Sequence, residues 1–257
     1  SLDLLKERFP EVHVILSPEN RVLCSYNNAV EGLTSDIVIL LNNDIKVEPD
    51  FVDPLAGHFD DESVMFVAPR LMNFDGTYNG GRSVVEFKRG AVRVTVDAGK
   101  SMERGPTQAI STGAFRRSTF VELGGFDDLF LPGIWEDVDL CFRGMLEGWK
   151  GLYEPDSVIW HDESTTFHRE FGKERKMRLA HRNMYLFFWK NITDGRMFAD
   201  HLLLLAPRLL VQIAKGRFDQ VGGFFLALLR IPAVIRRRQA LKGRYGRKVV
   251  KERELVS

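Results

Sequence analysis

The 257 residues are enough for one large domain, or for one domain with an appendage. Apolar residues make up 44% and charged residues 28%, which is the composition of a globular protein with a core and excludes a disordered chain. The two cysteines, Cys24 and Cys141, lie among apolar neighbours outside any CxxC or Cys/His cluster. We therefore expect buried, reduced thiols and a reducing compartment.

The net charge of +1 conceals an uneven distribution of charge. From Arg196 to the last residue there are 14 Lys and Arg against 4 Asp and Glu, whereas residues 1–195 carry 22 against 31. The sequence therefore predicts an acidic body followed by a basic tail.

Residues 1–69 alternate between helical and strand patterns. The continuous apolar run at 36–41 is typical of a strand buried on both faces, as in parallel sheets. The alternation predicts an α/β fold with a mostly parallel sheet flanked by helices. The predicted order is helix 2–9, strand 12–17, helix 25–32, strand 36–41, helix after Pro49 and strand 63–69.

The second part of the sequence changes from strands to helices. Residues 82–96 predict a hairpin or an excursion from the sheet, and residues 148–162 predict two short strands. From His168 onward the pattern is mostly helical, so we divide the chain into a domain at 1–190 and a basic helical tail at 191–257. Between the hairpin and the last strands we predict a strand within 108–117, a helix at 117–123 and a helix after Trp135.

Polar side chains follow two of the predicted strands. Asn42, Asn43 and Asp44 come directly after the strand at 36–41, and His161 ends the last strand. Ligands of open parallel sheets bind beyond the carboxyl ends of strands, where a carboxylate with flanking amides can hold a hard divalent cation and a phosphate or sugar hydroxyl. The alternatives are a polar turn for the first group and a structural role for the histidine.

Three carboxylates, Glu136, Asp137 and Asp139, open the helix predicted after Trp135. The helix dipole favours their ionised form in the first turn, and an ionised carboxylate at the rim of a pocket can act as a general base. The indole of Trp135 offers an apolar platform for a sugar ring. Simple capping explains one or two of the acids, and Asp139 is expected to pair with Arg143 at i+4.

Taken in chain order, these segments resemble the inverting family-2 glycosyltransferases of GT-A fold, from residue 1 to about residue 190. The family's acceptor-side block with its ED motif is resembled by STGAFRRSTFVELGGFDDLF followed by WEDVDLCFR. Its donor-side segments are resembled by PENRVLCSYNN and by LLNNDIKVEPDFV, and its histidine-bearing strand by VIWHDES.

The resemblance implies metal-dependent, inverting transfer of a sugar from a nucleotide-diphosphate-sugar to a hydroxyl group. It implies Asp137 as the base that takes the acceptor proton, and Asp44 and His161 as ligands of Mg²⁺ or Mn²⁺. The other implied residues are Asn20, Asn28, Asn42 and Asn43 on the donor side, and Gly113, Ala114, Trp135 and Glu136 on the acceptor side.

Two positions depart from the family pattern: Asn42 replaces the first Asp of the DxD-type segment, and Val22 stands where the family has glycine. We also expect the sequence to be N-terminally incomplete, because the family's nucleotide-base-binding strand–helix–strand comes before the segment that SLDLLKERFP resembles. These departures leave a second hypothesis open, a catalytically silent glycan-binding or scaffolding relative.

The basic tail contains apolar stretches of about 8–14 residues, at 201–210 and within 222–238, which we expect to be too short to span a bilayer. Basic residues beside amphipathic helices suit an anionic membrane surface. Packing on the domain or on a second subunit of a homodimer is the alternative. Nucleic acid is not an expected partner, because the tail lacks the aromatic and basic interleaving of a single-strand binder.

By analogy with bacterial cell-surface glycan enzymes, the resemblance also implies a partner set and a location. The donor would be dTDP- or UDP-linked, with rhamnosyl transfer as one form of the reaction, and the acceptor would be a glycan or a lipid-linked molecule of cell-wall or polysaccharide biosynthesis. The expected location is cytoplasmic, peripheral at the inner face of the membrane.

Overall fold

A mixed β-sheet lies at the centre of the protein, whose computed structural model describes residues 2–161, 172–245 and 249–256. Seven of the strands in these residues form the main sheet, and β5 and β6 form a separate hairpin. The strands are β1 Ile37–Leu40, β2 Ile45–Val47, β3 Val64–Met72, β4 Tyr78–Gly80, β5 Ser83–Lys88, β6 Ala91–Val96, β7 Gly105–Pro106, β8 Gly113–Arg116 and β9 Lys150–His161.

Helices cover the sheet and make up most of the chain after β9. The predicted start of the helical region at His168 lies outside the described residues. The helices are α1 Leu2–Arg8, α2 Tyr26–Glu31, α3 Val52–Ala56, α4 Arg117–Glu122, α5 Glu136–Leu146, α6 Lys173–Asn191, α7 Gly195–Ala214, α8 Phe218–Leu228, α9 Ile231–Tyr245 and α10 Glu252–Leu255.

The strand order β1-β8-β3-β9-β2 fixes where a site can form. The neighbours β3 and β9 are parallel, whereas β8 is antiparallel to both β1 and β3. It follows that β1, β3 and β9 run in one direction, and their carboxyl ends share one edge with the start of β8. The α/β class with a GT-A-like sheet is confirmed, and the sheet is mixed because β2, β4, β7 and β8 are each antiparallel to the strands they pair with.

Most predicted elements are present, with two differences. The strand predicted at 12–17 is wrong: this segment has no strand pairing, and Ile15 and Leu16 are exposed. A β-branched run forms a strand only where a sheet edge pairs with it. The two short strands predicted at 148–162 are one strand, β9, which continues past a register shift opposite Pro69 and Arg70.

The two faces of the sheet bury different apolar clusters. On β8, Phe115 packs into the larger cluster with Phe142 of α5, whereas Ala114 packs into the smaller one with Leu55 of α3. Neighbouring side chains of a strand point to opposite faces, so β8 supplies both clusters. Cys24 joins the larger cluster, and both cysteines are buried and free, as predicted.

The C-terminal helices pack onto this body. On α6, Phe187 contacts the rings of Trp135 and Phe142, both at 5.1 Å between centroids. On α8, Gly223 lies so close to α6 that a Cβ atom would come within 2.7 Å of the Arg178 carbonyl oxygen. The packing of the tail on the domain, one of the predicted alternatives, is therefore present.

Helix α7 is long and apolar enough to cross a membrane. It has 20 residues. Its most apolar stretch of 18 residues has a mean hydropathy of 1.4, and only 11% of that stretch is buried. The expectation that the tail's apolar stretches are too short to span a bilayer is therefore wrong for α7, because the stretch at 201–210 lies within a longer helix. The segments Phe218–Leu228 and Ile231–Leu241 meet at a bend of 61°. Taken together, they are also long and apolar enough to cross a membrane.

Candidate functional site

The predicted metal-binding residues come together where β2 pairs with β9. Ile45 lies opposite His161 in the antiparallel register, which brings the preceding residue, Asp44, next to the histidine. The Nε2 atom of His161 lies 3.3 Å from Oδ1 of Asp44. His161 is 7% exposed, and its Nδ1 atom has no hydrogen-bond partner within the described residues.

The end of β1 is held from two sides. The Tyr26 hydroxyl of α2 donates to the Leu41 carbonyl at 2.6 Å, and the Thr112 hydroxyl donates to the Leu40 carbonyl at 2.8 Å. Burial, and after it the charge of Asp44, raises the pKa of Tyr26. The turn that carries Asn42, Asn43 and Asp44 is thus fixed between α2 and the segment before β8.

Asn20 shapes the loop that leads into the donor-side segment. Its Oδ1 atom accepts a hydrogen bond from the Val22 amide at 3.0 Å. Val22, which stands where the family has glycine, has φ = 50°. A β-branched residue is strained in this left-handed region, whereas glycine is not. The departure seen in the sequence thus falls on a position whose backbone favours glycine.

The asparagines of α2 take different positions. Asn28 is exposed on the outer face of the helix. Asn27 accepts from the Phe126 amide at 2.9 Å and donates to the Phe126 carbonyl at 2.8 Å. Residues two apart on a helix point about 200° apart, so Asn28 faces away from the side on which Tyr26 reaches β1. Its role in the donor pocket stays a prediction.

The helix with three carboxylates begins in a strained turn. Ile134 and Trp135 both have left-handed backbones, with φ of 73° and 83°. Such conformations persist where neighbouring structure holds them. The side-chain amide of Asn183 on α6 contacts the carbonyl oxygens of Phe130, Gly133 and Ile134 at 2.7–2.8 Å. The ring of Trp135 packs on α6, so part of the predicted sugar platform is used for packing.

Glu136, the first residue of α5, is buried near Cys24 of the Val22–Ser25 turn. It is 4% exposed, and its Oε2 atom has no hydrogen-bond partner in the described parts of the chain. Burial, and after it the charge of Asp137 and that of Asp139, raises the pKa of Glu136 to about 8. The same carboxyl adds to burial in raising the pKa of Cys24 to about 12. At neutral pH, Glu136 is therefore protonated.

Asp139 is structural, as predicted, but its partners exceed the predicted one. Its side chain is fully buried and bonded to Arg143 Nε, Lys190 Nζ and Asn191 Nδ2, each at 2.8 Å. Lys190 also pairs with Asp127 at 2.7 Å, and this contact lowers the Asp127 pKa against the effect of burial. The network ties α5 to the end of α6.

Asp137 lines a cavity of ≈ 170 Å³ at the same edge of the sheet. The cavity lies between α5, the end of β3, the segment before β8 and the hairpin β5–β6. Thr112 both lines the cavity and bonds to the Leu40 carbonyl, which links the cavity to the end of β1, the strand before the turn with Asp44. The polar lining residues are Asn79, Ser83, Ser111, Thr112 and Asp137.

Two of the predicted acceptor-side residues, Gly113 and Ala114, are not among the residues that line this cavity. A Cβ atom on Gly113, whose φ is 145°, would come within 2.6 Å of the Val67 carbonyl oxygen, so this position requires glycine. Ala114 is fully buried in the smaller apolar cluster. The cavity is instead lined by Ser111 and Thr112, which the sequence pattern STG would have allowed us to name.

Asn79 is a lining residue that the sequence did not reveal. Its Nδ2 atom is buried and has no hydrogen-bond partner among the described residues. The residue lies on β4, which departs from the path of the main sheet and pairs only with β3 in the described structure. No motif marked this strand, because its three residues carry no hydrophobic period.

A divalent cation is compatible with the pair Asp44 and His161. The pair offers a carboxylate and an imidazole, and the partly unsatisfied histidine is buried as a ligand would be. Among the residues that the structure describes, no group of three or more His, Cys, Asp or Glu gathers to form a complete site. The remaining ligand positions would fall to phosphate oxygens and water, as is usual for Mg²⁺ bound with a substrate phosphate.

The site therefore combines a carboxylate–imidazole pair, a cavity lined by a second carboxylate, and a GT-A-like sheet that holds both at one edge. The sheet, with both groups at one edge, agrees with the GT-A fold. Residues 1–119 match the family described as "Glycosyl transferase family 2". The match takes in fewer than half of the 257 residues, and over these residues the chain is similar to that family.

Two curated relatives and one solved structure show the extent of the similarity. The relatives are the "Pre-mycofactocin glycosyltransferase" proteins of Mycobacterium tuberculosis strains CDC 1551 / Oshkosh and ATCC 25618 / H37Rv, each 29% identical over 164 residues. The match takes in 60% of this chain and 33% of each relative, so the chain spans about a third of their length.

The fold is also similar to that in the "Crystal structure of GalNAc-T7 with UDP, GalNAc and Mn2+". The TM-score is 0.52 at 17% sequence identity, over 74% of this chain and 40% of that chain. At this identity the similarity concerns the fold alone.

Proposed function

We propose that this chain carries out inverting transfer of a sugar from a nucleotide-diphosphate-sugar to a hydroxyl of a glycan or lipid-linked acceptor. The proposed location is the cytoplasm, next to the membrane that holds such acceptors. The observation that carries the proposal is the cavity lined by Asp137, whose Thr112 bonds to the end of β1, the strand that leads into the turn with Asp44.

We assign Asp137 as the base. Inversion requires one carboxylate on the acceptor side, which takes the hydroxyl proton while the oxygen attacks the anomeric carbon. The displaced nucleoside diphosphate leaves on the opposite side of the sugar. Asp137 lines the cavity, whereas Glu136 is buried and Asp139 is fully occupied by its cationic partners. Of the three acids, Asp137 alone has the exposure that a base requires.

Asp44 and His161 would hold Mg²⁺ or Mn²⁺ together with the diphosphate. A bound divalent cation supplies charge stabilisation for the departing phosphate groups. The Mn²⁺ and UDP in the GalNAc-T7 structure support this assignment through the shared fold. The residue Asn42, which replaces an acid, leaves Asp44 as the one carboxylate of its turn and would contact phosphate or ribose by hydrogen bonds.

The cavity beside Asp137 suits a carbohydrate acceptor. Its walls combine apolar side chains such as Leu71 and Val94 with hydroxyl and amide groups. Sugar rings present an apolar face and polar edges, and ligand sites of this mixed kind orient them through a few polar groups. The buried Nδ2 donor of Asn79 is placed to bind an acceptor hydroxyl.

The test is sugar transfer by the protein that contains this chain, assayed with a panel of nucleotide-sugars and with MnCl₂ or MgCl₂. Asp137→Asn keeps the shape of the side chain and removes the base, so we expect kcat to fall ~10²–10⁴-fold. Asp44→Asn should weaken the response of the rate to metal concentration, because the carboxylate is lost.

The matched control is Asp3→Asn, an exposed carboxylate on α1, which should leave transfer unchanged. Unchanged transfer by Asp137→Asn would overturn the assignment of the base. Glycan binding without turnover and without a metal-dependent response to nucleoside diphosphate would favour the silent relative.

A further inference from the structure

The outward half of α7 has the composition of a buried surface. Between Leu202 and Ala214 every exposed side chain is apolar, and at 100° per residue these side chains cover about half of the helix circumference. Leu203 is 76% exposed and Leu210 is 65% exposed. Soluble helices place the polar face outward, so this half lacks its natural partner. The exposed residues are two alanines and Leu202, Leu203, Pro207, Leu210, Val211 and Ile213.

The inward half of α7 is fixed to the body and cannot exchange places with the outward half. His201 Nδ1 and an Arg208 guanidinium nitrogen both lie 2.7 Å from the carbonyl oxygen of Gly90, at the turn of the β5–β6 hairpin. Arg208 also donates to the Tyr185 hydroxyl at 3.3 Å. A rotation of α7 would break these bonds and leave the guanidinium without its partners.

Further exposed apolar side chains follow on the next two helices. Phe218 and Phe225 of α8 are 65% and 59% exposed, Leu229 is 77% exposed, and Ile235 of α9 is 48% exposed. An unpartnered surface that includes several aromatic and leucine side chains is typical of a membrane or protein contact. The exposed apolar residues of α7, α8 and α9 together are named the apolar tail surface.

The positive charge of the tail distinguishes a membrane from a second copy of the chain as the partner of the apolar tail surface. Residues 201–245 contain nine Lys and Arg and a single Asp. Lys215 and Arg217 are exposed directly after α7, and Arg230 and Arg236 are exposed beside the apolar residues of α8 and α9. A second copy of the chain would bring like charges together, whereas anionic lipid headgroups attract each nearby cation by about 1 kcal/mol.

We propose that the apolar tail surface inserts into the interfacial region of an anionic phospholipid bilayer, with α7 lying along the membrane. The 20 residues of α7 could reach across a bilayer. Crossing would separate His201 and Arg208 from Gly90 and place the guanidinium in hydrocarbon, which is costly. Lying in the interface keeps those bonds and buries the outward half alone.

The experiment is flotation of the full chain with vesicles of phosphatidylcholine, and with vesicles of phosphatidylcholine and phosphatidylglycerol in equal parts. The Asp137→Asn variant is used throughout, so that binding is measured without transfer and the result does not depend on the proposed reaction. We expect flotation with the anionic vesicles and weaker binding at high salt.

Leu203→Glu/Leu210→Glu should reduce the bound fraction ~10-fold or more, because two inserted side chains become charged. Leu2→Glu/Leu5→Glu is the matched control, since both leucines are exposed on α1 at the other end of the chain. Circular dichroism checks that each variant is folded.

Two results would overturn the proposal. One is the absence of flotation with anionic vesicles. The other is wild-type flotation of Leu203→Glu/Leu210→Glu. If light scattering showed that this variant turns a dimer into a monomer while vesicle binding is unchanged, the apolar tail surface would belong to a contact between two copies.

Discussion

Glu136 and Asp137 are neighbours on α5 that have different surroundings. Glu136 is buried against the Val22–Ser25 turn, and its pKa is raised, whereas Asp137 lines the cavity. A proton on Glu136 at neutral pH means that no second negative charge lies beside Asp137, the proposed base. The two neighbouring acids therefore differ in surroundings: Glu136 is buried with a raised pKa, whereas Asp137, the proposed base, lines the cavity.

The neutral state of Glu136 predicts how stability depends on pH. The pKa of this carboxyl is 4.5 before folding and about 8 in the fold. Between these values the folded state holds a proton that the unfolded state has lost, so the free energy of unfolding falls as pH rises through this window. Glu136→Gln removes the titrating group while keeping the shape. Relative to the wild type, the variant should gain stability between about pH 5 and about pH 9.

Urea unfolding at both pH values measures this change. Glu7→Gln, on the exposed helix α1, serves as the control and should show no gain. The charged groups nearest to Glu136 are Asp137 and Asp139 on its own helix, and the Cys24 thiol faces it from the donor-side segment. An equal pH dependence in the wild type and Glu136→Gln would show that Glu136 is ionised in the fold.

At the scale of elements, α6 determines the geometry of the turn before α5. Asn183 is fully buried and holds three carbonyl oxygens of that turn, and Arg182 donates to the carbonyls of Phe130 and Leu131. The turn carries the two left-handed residues that aim α5 at the cavity. A helix outside the segment matched to the family thus positions the proposed base.

Replacing Asn183 should separate positioning from binding. Asn183→Ala leaves buried carbonyl oxygens unpaired, and we expect a loss of about 1–3 kcal/mol in the free energy of unfolding. We also expect kcat to fall ~10-fold or more with little change in the donor KM, because the base is displaced while the Asp44 turn is intact. Gln239→Ala, an exposed amide on α9, is the control.

Steady-state kinetics and thermal unfolding of the same protein samples give both values. If Asn183→Ala lost stability and kept the wild-type kcat at a temperature where it is folded, Asn183 would have a structural role alone.

The sequence predicted what depends on local pattern and left out what depends on distant contacts. The strand at 36–41 and the hairpin were predictable because a continuous apolar run, and two β-branched runs around a short turn, are local patterns. The pairing of Asp139 with Arg143 is local, but its contacts with Lys190 and Asn191 join residues about fifty positions apart. The burial of Glu136 and the unsatisfied amide of Asn79 likewise depend on elements that meet only in the fold.

At the scale of the whole molecule, contacts cross the predicted boundary at residue 190. The Phe87 amide donates to the Val256 carbonyl at 2.9 Å, and the Gln108 side chain donates to the Leu255 carbonyl at 2.6 Å. Val256 is 4% exposed within the larger apolar cluster. The tail is therefore both a part of the folded body and the carrier of the apolar tail surface.

This packing predicts that tail and body unfold together. Val256→Asp places a charge in the apolar cluster and should cost about 2 kcal/mol or more, which corresponds to a fall in Tm of about 4–8 °C for a protein of this size. The four tryptophans lie between Trp135 and Trp189, so their fluorescence reports on the body and, through Trp189, on its contact with the tail, whereas circular dichroism reports on all helices. Both midpoints should fall equally.

Val249→Asp is the matched control, because that side chain is 78% exposed. A lower midpoint by circular dichroism with unchanged fluorescence would mean that the tail unfolds separately.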